Sequence, residues 1–116
     1  MTFRRMWKNR QLRAWARGQE RFAVRFRKMK GVIAQAQYEP PMIILNPKKK
    51  NSWSKCMATL CEEMAHLRCP GQGHNMIWQS EAFDLVESAA QAGLVSQHKA
   101  VWGLYNSLIL RKILQE

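Results

Sequence analysis

Residues 57–78 hold most of the side chains in this chain that could do chemistry. The run contains His66, His74, Cys61, Cys69 and the adjacent carboxylates Glu62 and Glu63. Apolar residues at Trp53, Met57, Leu60, Met64 and Leu67 recur at spacings of 4, 3, 4 and 3, which predicts a helix with one apolar face. Glu62 and His66, four residues apart, then project side by side on the face turned away from that stripe, with Glu63 one step round toward its flank. Pro70-Gly71 stops the helix, and Gly73-His74 follows after a short loop. Two donors on one helical face and a third from the next loop can close three corners of a tetrahedron around zinc, leaving the fourth open. The same residues also fit a site that has lost its chemistry, or a solvated helix face.

In the zinc-peptidase motif H-E-x-x-H, two histidines hold the metal and the intervening glutamate takes a proton from the attacking water. The five positions here read Glu62-Glu63-Met64-Ala65-His66. The base and the second ligand are in register, and the first ligand is a carboxylate. With Pro41-Met42-Ile43-Ile44-Leu45-Asn46-Pro47 before it and Gly73-His74-Asn75-Met76-Ile77-Trp78 after it, the segment resembles the SprT-like (Spartan-type) zinc metallopeptidases. Those proteins carry a short strand, a helix of the form T-L-H-E-x-x-H-L and a G-H-G-x-x-F/W segment. The resemblance spans roughly residues 41–83, with Glu62 replacing the first histidine and Asn75 replacing a glycine. It implies one zinc ion held by Glu62, His66 and His74, with Glu63 as the catalytic base. It also implies a protein substrate bound or cross-linked to DNA. A carboxylate ligand reaches metal about as closely as an imidazole does, at about 2.0–2.2 Å. Its extra negative charge makes the bound ion less Lewis-acidic.

The rest of the chain must position those groups. Its 116 residues suit one domain with a modest core, and 47% hydrophobic content with five tryptophans argues for a folded protein. No apolar run approaches the roughly 18 residues of a membrane span, and the N-terminus has no secretory pattern. The three cysteines Cys56, Cys61 and Cys69 form no C-x-x-C pair, which suits a reducing compartment. The expected localisation is cytoplasmic or nucleoid-associated, or a virion if the protein is phage-encoded. Cys56 and Cys61 read as core residues. Cys69 could join a structural zinc site, although the spacing matches no standard finger.

Of the net charge of +11, almost all lies in residues 1–30, which hold eleven Lys/Arg and a single acid, Glu20. Leu12, Trp15, Phe22, Phe26, Met29 and Ile33 fall at heptad-like spacing there, predicting a long amphipathic helix over about residues 8–30 that ends at Gly31. Its solvent face would present cations to nucleic acid: Arg4, Arg5, Lys8, Arg10, Arg13, Arg17, Arg21, Arg25 and Lys28. Trp7 and Phe3 would be free to stack on unpaired bases. An acidic protein or assembly partner, or a merely solvated basic face, would account for the same charge.

Met42–Leu45 carries the clearest strand signal, and the prolines around it suggest a sheet edge; Val32–Tyr38 is an ambiguous second strand. Lys48-Lys49-Lys50 reads as an exposed turn that could add to a phosphate-binding surface, and Ser52 or Ser54 as the N-cap of the Glu62 helix. Two closing helices follow, over about residues 79–92 with Gly93 as C-cap and from about Ser96 to Leu114, the second unusually apolar and carrying His98 near its start.

The expected fold is therefore α+β and mostly helical, with a small edge sheet, a zincin-like metal-site helix and a long basic N-terminal helix in a single domain over residues 1–116. Its parts would be a basic helix (1–31), short strands (32–47), the metal-site helix and loop (52–78) and closing helices (79–116). Two functions are carried forward. One is a SprT-like zinc metallopeptidase acting on protein associated with nucleic acid. The other is a non-catalytic nucleic-acid-binding or assembly protein on a degenerate peptidase scaffold.

Overall fold

Alternation at Phe22, Val24 and Phe26 decides the first third of the chain. These three are half-buried while Arg21, Ala23, Arg25 and Arg27 between them are exposed, a period of two that belongs to a strand. The long helix expected over residues 8–30 is accordingly replaced by shorter elements. Helix α1 spans Phe3–Trp7, helix α2 spans Arg10–Gln19 and strand β1 spans Ala23–Phe26. Side-chain caps explain the break: Thr2 accepts from the Arg5 amide, and Asn9 accepts from the Leu12 amide to start α2 afresh. Phe3 is buried in the core rather than free to stack on a base. The computed structural model describes residues 1–96 and 99. The apolar helix expected beyond Ser96, with His98, Ala100, Val101, Leu104, Leu108 and Leu114, lies outside the described residues.

Strands β2 (Ala34–Tyr38) and β3 (Pro41–Leu45) complete a mixed three-stranded sheet in the order β1-β3-β2. β3 is its central strand, parallel to β1 and antiparallel to β2. The prolines had suggested an edge, but Pro41 opens the strand and Pro47 lies beyond it, so Met42–Leu45 keep every amide the ladder needs. Val32 and Ile33 remain exposed outside the sheet. The ambiguous composition of β2 is that of an edge strand.

Helix α3 (Trp53–Arg68) packs against β2 and against helix α4 (Met76–Gln91). Ser52 caps α3 by accepting from the Lys55 amide at 3.2 Å. Met57, Leu60 and Met64 are fully buried, as their spacing requires, and Trp53 and Leu67 half-buried. The Trp15 indole N–H donates to Ser88 Oγ at 3.0 Å, joining α2 to α4. Arg68 donates to Glu81 at 3.3 Å and to Gln19 at 3.1 Å, joining the end of α3 to both. Mostly helical α+β architecture is thus present, with one core cluster shared by the helices and the sheet.

The end of α4 is set by Gly93, at φ +75° just past the cap. Gly93 N–H donates to Ala90 O and Leu94 N–H to Ala89 O, both at 3.0 Å, the paired bonds of a Schellman ending. Among the described residues, its own chain neighbours aside, no atom lies within 4 Å of where a Cβ would stand, so Gly93→Ala tests backbone strain. The expected loss is about 1 kcal/mol, read as a lower melting temperature in circular dichroism. An unchanged melting temperature would refute the left-handed cap.

Candidate metal centre and basic surface

The buried stripe of α3 turns His66 toward the loop that follows, and α4 begins three residues earlier than the sequence suggested. Asn75 is the reason: its side chain accepts from the Trp78 amide at 3.1 Å, so the residue standing where the SprT-like pattern has glycine caps α4. This cap draws Trp78 into the first turn, where it is fully buried. The indole N–H of Trp78 donates to the Glu62 carbonyl at 3.1 Å, locking α4 onto α3 at the carboxylate pair.

Trp78 is also the platform for both histidines. The His66 ring stacks on it with centroids 5.1 Å apart, and the His74 ring meets it edge-on at 4.5 Å. Held this way, the Nε2 atoms of His66 and His74 stand 3.2 Å apart. Two imidazole nitrogens bound to one tetrahedral zinc at 2.0–2.1 Å would be separated by about 3.3 Å. The pair therefore fits two corners of a metal site. The same distance also serves a hydrogen bond from a protonated Nε2 to a bare one, with roles set by the tautomers.

Glu62 and Glu63 are not on a solvated face. They are 5% and 9% exposed, and the helix is buried nearly all round from Cys56 to Ala65. Buried carboxylates are costly to keep charged, so two in succession need compensation from their surroundings. Their fields are felt nearby. The Cys61 thiol is pushed up to about 12, first by complete burial and then by Glu62, with Arg68 opposing. It therefore stays protonated at neutral pH, which argues against a role as nucleophile or thiolate ligand. Tyr38, at the end of β2, has its phenol raised by partial burial, then by Glu63 and Cys69. Cys69 donates to the Ala65 carbonyl at 3.0 Å, and its thiol is raised by burial and by Glu81.

The structure therefore brings His66 and His74 together and sets both glutamates in the same buried helix turn. Among the described residues, no three His, Cys, Asp or Glu side chains converge tightly enough to hold a metal ion. Sequence reasoning missed the support given by Trp78 and the nearness of Tyr38 to Glu63. The first was within reach, because a tryptophan four residues after a loop histidine can return to it on a helix. The second depends on β2 packing across α3 and had no local signal.

The basic residues occupy several elements. Arg4 and Arg5 lie on α1 and Lys8 at its end; Arg10, Arg13 and Arg17 lie on α2; Arg21 and Arg25 flank and enter β1, and Lys28 follows it. All are exposed except half-buried Arg13. Aromatic rings interleave with them: the Arg4 guanidinium sits 4.9 Å over the Phe26 ring, and Arg17 lies 6.0 Å from Trp7, itself 6.0 Å from Phe22. Among the described residues no helix is long and apolar enough to cross a membrane. No family model, curated protein or solved structure matches this chain.

Proposed function

We propose that the protein is a SprT-like zinc-dependent metallopeptidase, or a derivative of one, acting on protein associated with nucleic acid. The observation that carries this is the pair of imidazole Nε2 atoms 3.2 Å apart, one on α3 and one on the loop beyond it, beside two buried glutamates. The SprT-like pattern draws two donors from one helix and a third from the loop that follows, and His66 and His74 stand at the second and third of these positions. Glu62, four residues before His66, is the third donor once its side chain turns toward the pair. Bound there, zinc supplies Lewis acidity to a peptide carbonyl.

The chain's own groups supply the rest. Glu63 accepts a proton from the attacking water on a carboxylate oxygen and passes it to the leaving amide nitrogen. Tyr38, kept protonated, is a hydroxyl donor for the oxygen that gains charge. β2 is an edge strand packed on α3, and an extended peptide added to its outer edge would pass this cluster. The exposed arginines and lysines of residues 1–30 hold the nucleic acid with which the protein substrate is associated.

The second reading is a non-catalytic nucleic-acid-binding or assembly protein on the same scaffold. It is supported by the exposed cations on α1, α2 and β1, with aromatic rings beside Arg4 and Arg17, a surface that needs no metal. Elemental mass spectrometry on protein purified without chelator separates the two. The peptidase reading expects about one zinc per chain, lost in His66→Ala and in His74→Ala, and retained or tightened in Glu62→His. Zinc only in Glu62→His means a scaffold that lost its chemistry at one position. No metal in any variant removes the metal centre.

A further inference from the structure

Parallel pairing brings together two basic runs that lie about twenty residues apart in sequence. β1 and β3 run in the same direction, with Phe26 opposite Leu45, so both strands finish at the same edge of the sheet. Each leads directly into lysines: Arg27-Lys28-Met29-Lys30 after β1 and Pro47-Lys48-Lys49-Lys50 after β3. An antiparallel pair would have sent these runs to opposite ends.

Asn46 holds the two turns in register. It is 2% exposed, and its side-chain amide donates to the carbonyls of Met29 at 2.7 Å and Val32 at 2.9 Å. Its Oδ1 accepts from the Lys48 amide at 3.1 Å, and its carbonyl from the Lys49 amide at 3.3 Å. Thus one buried side chain fixes the backbone that carries Lys28 and Lys30 against the backbone that carries Lys48 and Lys49. Between them lies an open cleft of about 380 Å³ with no carboxylate among the described residues of its lining. The surface continues past it, because Thr2 bridges to Lys50 and the Asn51 amide donates to the Met1 carbonyl at 2.9 Å, setting the start of α1 alongside.

Four exposed ammonium groups around one cleft repel one another, and a polyanion relieves that repulsion while releasing its own counterions. Lysine suits this task as a flexible point charge that follows a phosphodiester backbone without reading bases. We infer that the cleft lined by Lys28, Lys30, Lys48 and Lys49 is a backbone-binding site for nucleic acid, organised by Asn46. It rests on the nucleic-acid half of the proposed function and is independent of the metal centre.

Fluorescence anisotropy with short labelled single-stranded and duplex DNA, titrated over a range of salt, tests it on the full chain. The variant is Lys28→Gln/Lys30→Gln/Lys48→Gln/Lys49→Gln, compared with Arg10→Gln/Arg13→Gln/Arg17→Gln on α2. The lysine variant should flatten the slope of log affinity against log salt by roughly 2 to 3.6 on duplex, at about 0.9 per phosphate lost. The arginine variant should change it by less than half as much. A lysine variant with the wild-type slope overturns the cleft, and loss only in the arginine variant leaves nucleic-acid binding standing on α2. Failure of the wild-type protein to bind either DNA overturns both. Because all four lysines are exposed, the fold should survive, as circular dichroism would show. Should it not, Lys28→Glu and Lys48→Glu taken singly must each weaken binding, and wild-type affinity in both would overturn the site.

Discussion

Replacing Glu63 by glutamine is expected to lower peptide hydrolysis by about 10²- to 10⁴-fold while leaving bound zinc in place. Glutamine matches glutamate in shape and fills the same buried space, but its amide takes no proton from water at neutral pH. The position is 9% exposed, so bulk solvent offers little replacement as a base. A split between activity and metal content is the informative result, because a merely structural role would move both together. Hydrolysis of a casein-type or DNA-bound protein substrate, followed beside elemental analysis of the same sample, gives both readouts. Unchanged hydrolysis in Glu63→Gln would remove this residue as the base. Loss of metal along with activity would instead give it a place among the ligands. Removing the metal with a chelator should abolish hydrolysis, and restoring zinc should return it.

Trp78→Ala is expected to be the most damaging single change in the molecule. The side chain is fully buried between α3 and α4, donates to the Glu62 carbonyl at 3.1 Å and touches both imidazole rings. Truncating a buried tryptophan costs about 3–5 kcal/mol, a large part of the roughly 5–15 kcal/mol that holds a domain together. Trp78→Phe keeps most of the packing but loses the indole N–H, leaving the Glu62 carbonyl without that donor for about 1–3 kcal/mol. Urea unfolding by circular dichroism should rank the proteins wild type, Trp78→Phe, Trp78→Ala in decreasing stability. Zinc affinity should fall in the same order, since Trp78 orients both histidines. A Trp78→Ala protein as stable as wild type would mean that α4 is held to α3 by other contacts. Normal zinc affinity in Trp78→Phe would mean that the histidines align without the indole.

These two residues show how differently the site and its support were written in the chain. Glu63 announces itself by spacing, one step after Glu62 and three before His66. Trp78 carries a weaker signal, its place four residues after His74, because its role depends on where Asn75 starts a helix. A capping residue shifts an element boundary by a few positions, and here those positions turn a loop residue into a buried wedge. The N-terminal third shows the same limit in another form. Leu12, Trp15 and Ala16 follow a helical period, and Phe22, Val24 and Phe26 a strand period. A heptad drawn through both sets hides the change, since the four-residue step from Phe22 to Phe26 suits either spacing.

The sequence by itself determined the helix carrying Glu62, Glu63 and His66, a serine cap at Ser52 or Ser54, the stop at Pro70-Gly71, the glycine ending near Gly93 and the concentration of charge before residue 31. All of these depend on neighbours within a turn or two, where side-chain periodicity and backbone preference act directly. Only the tertiary structure decided that Met42–Leu45 is a central strand, that both glutamates are buried, that His66 and His74 meet over Trp78, and that lysines from two turns share one cleft. Each of those outcomes depends on which surfaces pack together and in which direction strands pair. Pairing direction is set by the burial of apolar faces over the whole molecule, which no local window of the chain contains.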